Sequence, residues 1–169
     1  MYSGLISATF RSITVIGLFL VTSVPATANA PTGRYHISSG QVVDTGTGLI
    51  WQQISSDIAM TWAEAQAYCG GEGWRLPSMK ELQTLVDETR LLPALDTSVF
   101  PVVFAESGYG YWSSSAVAGL VSYVWIVHFE SGQSDYDDQT RTYRVRCCRS
   151  AVKNFLAEFE EEGKANGER

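Results

Sequence analysis

Hydrophobic and polar positions change period several times along this chain, and each change predicts an element. "QVVDTGTGLIWQ" reads as a β-hairpin, with Val42-Val43, a Gly-rich turn from Asp44 to Gly48, then Leu49-Ile50-Trp51. "TWAEAQAYCGG" reads as a short helix in which Thr61 and Glu64 make a capping box and Gly70-Gly71 stop the turns. Trp62, Ala65 and Cys69, with Gln66 at the edge, share one stripe at helical spacing. "SMKELQTLVDE" repeats the logic: Ser78 caps, Glu81 completes the box, and Leu82, Leu85 and Val86 form the buried stripe. Pro77 disfavours helix at the residue before it, so Arg75-Leu76 is expected to be extended.

From Leu92 to Gly110 the Pro- and Gly-punctuated chain predicts a long loop. Strand-like runs follow: "YGYWSSS", "VSYVWIVHF", a turn from Glu130 to Gln133, and "TYRVRCCR". In the middle run Val121, Tyr123, Trp125, Val127 and Phe129 alternate with Ser122, Val124, Ile126 and His128, which predicts a strand largely buried on both faces. His36 falls in a first short strand, and Asp135 to Asp138 read as an acidic loop. Beyond Arg149 a short amphipathic start runs into a charged tail, residues 150–169.

The first 30 residues have a different pattern. One charge (Arg11), an apolar stretch from Ile13 to Val24 and the small-residue series ending Ala28-Asn29-Ala30 read as an export signal. The alternative, a retained anchor, is disfavoured because the apolar run is well short of the ~20 residues that span a bilayer. No second such segment follows, so the mature chain is expected to be soluble, without a membrane span, and secreted, periplasmic or at the cell surface.

About 139 of the 169 residues then remain, enough for one domain with its own core. The chain has 12 basic and 18 acidic residues, and only Arg11 of these lies in the signal, so the mature charge is −7. That balance argues against nucleic acid and against sulfated or phosphorylated polymers as partners. Export permits disulfides. The cysteines are Cys69, Cys147 and Cys148, and adjacent cysteines rarely bridge each other, so Cys69 is expected to pair with Cys147 or Cys148.

The order of hairpin, two short helices, long loop and strands ending in cysteine is that of a C-type-lectin-like module. "DTGTGLIWQ", "TWAEAQAYC", "WRLPSMKELQTLVD", "PALDTSVFP", "YWSSS", "VWIVHFESG" and "YRVRCCR" occur in that order. Together they resemble the Lcl C-terminal domain family of secreted collagen-like adhesins, over about Arg34 to Arg149. The resemblance implies an α+β, C-type-lectin-like fold with two short helices and a small, mostly antiparallel sheet. It also implies a secreted or surface location and, in some members, adhesion through glycan or matrix binding.

It further implies that Trp74 packs inward where the chain crosses between the helices, with Arg75 holding backbone carbonyls or an acidic partner such as Asp87. It pairs Cys69 with Cys147, closing a loop worth about 4.5 kcal/mol in the chain-entropy model. The strand pattern points the same way: Arg146 prefers water, so Cys147 on the opposite face should turn inward and Cys148 outward or sideways. Cys148 stands where the family carries an apolar residue. It reads as a buried thiol, an alternative bridge partner, or a link to a second chain formed under oxidation.

Catalytic patterns are weak. Ser113, His128 and Asp135 supply triad residue types, but no nucleophile elbow or oxyanion turn accompanies them. A formylglycine-generating-type enzyme shares the lectin-like scaffold and needs two usable cysteines. No catalytic residue, cofactor or metal site is expected; "SDYDDQT" lacks calcium-loop spacing and reads as a solvated acidic segment. For binding, Tyr111, Trp112, Ser113 and Ser114, with Gln133, Asp135 and Tyr136, offer the aromatic platform and polar groups that sugars need; core packing of Trp112 is the competing reading.

The expectation is therefore a non-catalytic recognition module for a glycan, extracellular matrix or cell-surface polymer. An assembly module that binds proteins or its own copies is the alternative. For export, mass spectrometry of the mature protein should find its N-terminus at Pro31, or next at Asn29; intact Met1 in the exported fraction would overturn the signal assignment.

Overall fold

The computed structural model describes residues 31, 33–101 and 110–151. The export signal, part of the long loop and the tail from 152 onward lie outside the described residues.

Within them the chain is α+β. Strands β1 (Tyr35–Ser38), β2 (Gln41–Asp44) and β3 (Leu49–Gln52) precede helices α1 (Trp62–Cys69) and α2 (Met79–Gln83). Strands β4 (Gly110–Val117), β5 (Leu120–His128), β6 (Ser134–Asp138) and β7 (Cys148–Ser150) follow. They form two antiparallel sheets, one ordered β1-β2-β3-β7 and the other β4-β5-β6. The expected hairpin is β2–β3, with Val43 opposite Ile50 and Asp44 opposite Leu49. Two helices, antiparallel sheets and a disulfide from the end of α1 to Cys147, just before β7, make the C-type-lectin-like architecture that the resemblance implied; of the expected strand through "TYRVRCCR" only the end from Cys148 is formed.

Both helices begin as the capping boxes dictate. The Glu64 carboxylate accepts from the Thr61 amide at 2.8 Å, and the Glu81 carboxylate accepts from the Ser78 amide at 2.8 Å. The second helix is shorter than its apolar stripe: Leu85 and Val86 lie beyond Gln83 in a turn, though Leu85 is still buried. "SDYDD" is a strand, not the expected loop, because the four-residue turn before it sets Val127 opposite Ser134 and Trp125 opposite Tyr136.

Val42, Trp51, Leu82, Leu85, Phe100, Tyr111, Val127 and Phe129 share one core with Cys148. Met60, Ala65, Leu76, Trp112, Val124, Ile126 and Val145 share the other with the Cys69–Cys147 disulfide, whose Cα atoms are 5.5 Å apart. The bridge is the expected one, but the reason from side-chain direction needs correction. Arg146 does not face water: it is fully buried, donates to the carbonyls of Gln52 and Gln53, and lies 4.9 Å over the Phe100 ring. Those carbonyls sit where the chain leaves β3 without a strand partner, and the guanidinium satisfies them. Cys148 is likewise fully buried and unbridged, not outward, which fits the buried-thiol reading. Burial pushes its thiol up to about 12.

The Trp-Arg-Leu-Pro stretch is a corner held from three sides. Arg75 exchanges both backbone hydrogen bonds with Cys148, at 2.9 and 3.0 Å. Its guanidinium grips Glu81 with both arms, at 2.8 and 2.6 Å, rather than Asp87, whose partner is Arg90 at 3.1 Å. Trp74 is half-buried under the Arg149 guanidinium, 4.8 Å from its ring. Glu81 thus caps a helix and anchors a strand-like corner with one carboxylate.

Arg75 first, against burial and with help from the Ser78 amide, lowers the Glu81 carboxyl from 4.5 to about 2. A carboxyl held down in the folded state adds stability above its unfolded value, and that stability is lost as pH falls through the folded one. Glu81→Gln keeps the capping geometry and removes the charge. It should flatten the fall of Tm with acidification between pH 4.5 and about 2. At neutral pH it should cost at most about 1 kcal/mol, because Arg75 is partly solvated.

Candidate functional site

The seven residues that the sequence offered for ligand contact do not form one surface. Tyr111, Trp112 and Ser113 are fully buried, so the platform expected from them is corrected to core. Trp112 donates its indole N–H to the Met60 carbonyl at 2.8 Å, and its ring meets Tyr143 edge-on at 4.8 Å. The Tyr111 hydroxyl donates to Ser55 Oγ at 3.2 Å, while its ring packs 4.9 Å from Phe129.

The serines of "YWSSS" are also drawn into the fold by a break in the β4–β5 register between Trp112 and Ala116. Ser113 Oγ donates to the Trp125 carbonyl at 2.7 Å, and Ser115 Oγ accepts from the Met79 amide at 3.0 Å. Ser114 alone is exposed, beside Gln66, Trp74 and Arg75 in a shallow groove of about 310 Å³.

Packing on the inner side of the second sheet is tight where His128 meets Gly110. A β-carbon at Gly110 would lie 2.5 Å from the Tyr143 ring, so only glycine admits that side chain. Tyr143 then donates its hydroxyl to Asp137 at 2.7 Å, and burial followed by this bond pushes its phenol up to about 12. His128 is half-buried against the same ring, 6.4 Å away. Ser113, His128 and Asp135 are not joined by any hydrogen bond, and Ser113 Oγ is committed to a backbone carbonyl.

The aromatic surface lies on the other face of β5–β6. Tyr136 is 45% exposed, with the Trp125 ring at 5.6 Å and the Tyr123 ring at 6.0 Å, both edge-to-face. Trp125 and Tyr123 are partly exposed, which departs from the expectation that β5 is buried on both faces. Leu82 and Leu85 cover this face only at its Val127 end, and at the hairpin tip Val121 is 94% exposed. Beside the rings, Gln83 of α2 donates to Ser134 Oγ at 2.9 Å. Sequence reasoning missed Trp125 and Tyr123 because it treated β6 as a loop. Counted as a strand, the four-residue turn would have set both beside Tyr136.

Gln133 and Asp135, with His128, Glu130, Ser131 and Ser134, line an open groove of about 480 Å³ at the β5–β6 turn. Asp135 Oδ1 accepts from the Tyr136 amide and Asp137 Oδ1 from the Asp138 amide, both at 2.8 Å. Asp138 Oδ1 accepts from the Thr140 amide and hydroxyl at 2.9 and 2.7 Å. These carboxylates are spent on their own backbone and on Tyr143, and no group of three or more His, Cys, Asp or Glu side chains suited to a metal occurs among the described residues. No helix among them is long and apolar enough to cross a membrane.

A family model, the Lcl C-terminal domain, matches residues 40–149. No curated protein matches the chain. Among solved structures it is similar to botrocetin, at 12% identity and a TM-score of 0.45 over 73% of this chain and 100% of that one. It is also similar to EMS16, described as an antagonist of the collagen receptor integrin alpha2beta1, at 10% identity and 0.42 over 72% and 100%. The snake venom toxin convulxin matches at 10% identity and 0.43 over 73% and 99%. At TM-scores below 0.5 these likenesses carry no argument about what this chain binds.

The two aromatic sets should separate on mutation. Trp112→Ala should destabilise the fold by about 3–5 kcal/mol, the cost of emptying a packed core. Tyr136→Ala, on the surface, should stay within about 0.5–1 kcal/mol of the parent. Thermal or denaturant unfolding measures both; equal losses would mean that Tyr136 is structural too.

Proposed function

The chain belongs to the Lcl C-terminal domain family, and on that premise we propose that it is a secreted or surface-exposed recognition module that binds a glycan without catalysis. The observation that carries this reading is the open ring cluster of Tyr123, Trp125 and Tyr136 beside Gln83 and Ser134. Aromatic faces stack against the C–H faces of pyranose rings, and neighbouring amide and hydroxyl groups pair with sugar hydroxyls. The ligand residues of the reading are therefore Tyr123, Trp125 and Tyr136, with Gln83 and Ser134 beside them; Gln133 and Asp135, offered by the sequence, line the separate groove with His128 at the β5–β6 turn.

A non-catalytic role is supported by the cysteines. Cys147 is committed to Cys69 and the Cys148 thiol is buried, which leaves no accessible cysteine pair of the kind a formylglycine-generating-type enzyme uses. Export is supported by the disulfide, since such bonds persist in oxidising compartments. The assembly reading draws on the exposed apolar hairpin tip, Leu120 and Val121.

A glycan and matrix-protein array probed with the purified protein, and in parallel with Trp125→Ala, tests the proposal. A saturable glycan signal that falls at least about tenfold with Trp125→Ala supports it. An array without any sugar signal, together with concentration-dependent self-association abolished by Val121→Ser, would sink the glycan reading in favour of assembly.

A further inference from the structure

We infer that Tyr123, Trp125, Tyr136 and Asp138 form a corner for one cationic sugar unit, a pyranose that carries an unacetylated amine. The inference rests on the glycan reading above, keeps its ring cluster and narrows its ligand.

Size comes from the ring geometry. Trp125 stands opposite Tyr136 and Tyr123 opposite Asp138, so the cluster occupies two neighbouring levels on one face of β5–β6. The Tyr136 ring meets those of Trp125 and Tyr123 at 78° and 81°. Rings near right angles present the walls of a corner, not a flat floor. Two levels lie about 7 Å apart along a strand, the span of a single pyranose. Tyr136 is exposed and the other two rings are partly exposed, so the corner opens to solvent.

Charge selects the unit. The negative faces of aromatic rings attract a cation. Guanidinium groups lie over Tyr35, Phe100, Tyr111 and Trp74, but among the described residues none lies over Tyr123, Trp125 or Tyr136. Asp138 faces Tyr123 at the ~5 Å spacing of a cross-strand pair. Its Oδ1 accepts from the Thr140 amide and hydroxyl, and these bonds hold the carboxyl below its ordinary value. Its Oδ2 has no hydrogen-bond partner among the described residues. A protonated amine can donate to that oxygen in a charge-assisted bond while its sugar ring stacks on an aromatic wall. An acetamido group or a hydroxyl at the same carbon brings no charge.

The other titratable groups on this face of β5 and β6 are the phenols of Tyr123 and Tyr136. The neighbouring α2 brings Lys80, which is exposed, and Glu81, which Arg75 holds. His128, Asp135 and Asp137, the last with Tyr143 and Arg141, belong to the opposite face.

NMR titration of the purified protein with glucosamine and galactosamine, each beside its N-acetylated form and its parent hexose, tests the inference at about pH 6, where the amine is protonated. In at least one series the amino sugar should bind about fivefold or more tightly than both neutral sugars. Raising the pH until the amine is neutral should erase that preference. Asp138→Asn, which keeps an oxygen for Thr140, should also erase it and leave Tm and the binding of neutral sugars unchanged. Asp135→Asn, on the other face, should leave it intact. The pH comparison needs no variant and decides by itself if Asp138→Asn lowers Tm. Neutral sugars that bind as tightly as the amino sugars, or a preference that survives at high pH, overturn the cationic site and leave glycan recognition standing. A preference removed by Asp135→Asn and kept by Asp138→Asn puts the amine in the groove and overturns the ring corner. Silence toward all these sugars beside a larger glycan bound on the array overturns the inference alone. Silence on the array as well overturns both.

Discussion

The segment from Tyr143 to Ser150 runs through the middle of the fold, and the other elements are arranged around it. Tyr143 exchanges backbone hydrogen bonds with Met60, Arg144 bridges Tyr111 of the second sheet, and Cys148 pairs at once with Trp51 of β3 and with Arg75 of the corner. Between them Cys147 is bonded to the end of α1, across 78 positions of sequence. One stretch therefore fixes both sheets, a helix and the corner relative to each other, and the disulfide removes much of the freedom the unfolded chain would otherwise have.

This insertion explains the two buried arginines. Residues 53–59 leave β3 as irregular chain, and their carbonyls need donors that no strand supplies. Arg144 donates to the Ser56 carbonyl at 2.6 Å, as Arg146 does to those of Gln52 and Gln53, so two guanidinium groups replace a missing strand. The planar head of Arg146 lies over Phe100 and beside Tyr111, an environment that lysine would fill poorly.

The same arrangement decides which surface stays open. One face of β4–β5 is covered by Met60, α1 and Tyr143, and the serines and aromatics of "YWSSS" are used up in holding that layer. On the other face α2 is too short to reach the hairpin tip, and the aromatic residues beyond it remain accessible. The outer edge of β6 is closed in a different way: Asp135 and Asp137 accept hydrogen bonds from the next amide along their own strand. Those amides are then withdrawn from pairing with another strand, and the charges discourage one, so recognition at this edge falls to side chains.

By itself the sequence determined the hairpin at Asp44–Gly48, both capping boxes, the extended Arg75-Leu76 and the family, because each depends on residues close together in the chain. It also carried the Cys69–Cys147 bridge. The bridge held even though one argument for it, an outward Arg146 on a strand, was wrong: Arg146 and Cys147 precede β7, and the direction of Arg146 is set by the Gln53 carbonyl, 93 residues away. The partner of Arg75, the burial of Cys148 and the core position of Trp112 were decided by tertiary contacts. The candidate site is the clearest case. Residue types suited to a sugar were legible, but which aromatics face solvent depends on how far α2 extends over β5 and on reading β6 as a strand. Alternation along one strand states that two faces exist; only the layers packed against them state which part of a face is left uncovered.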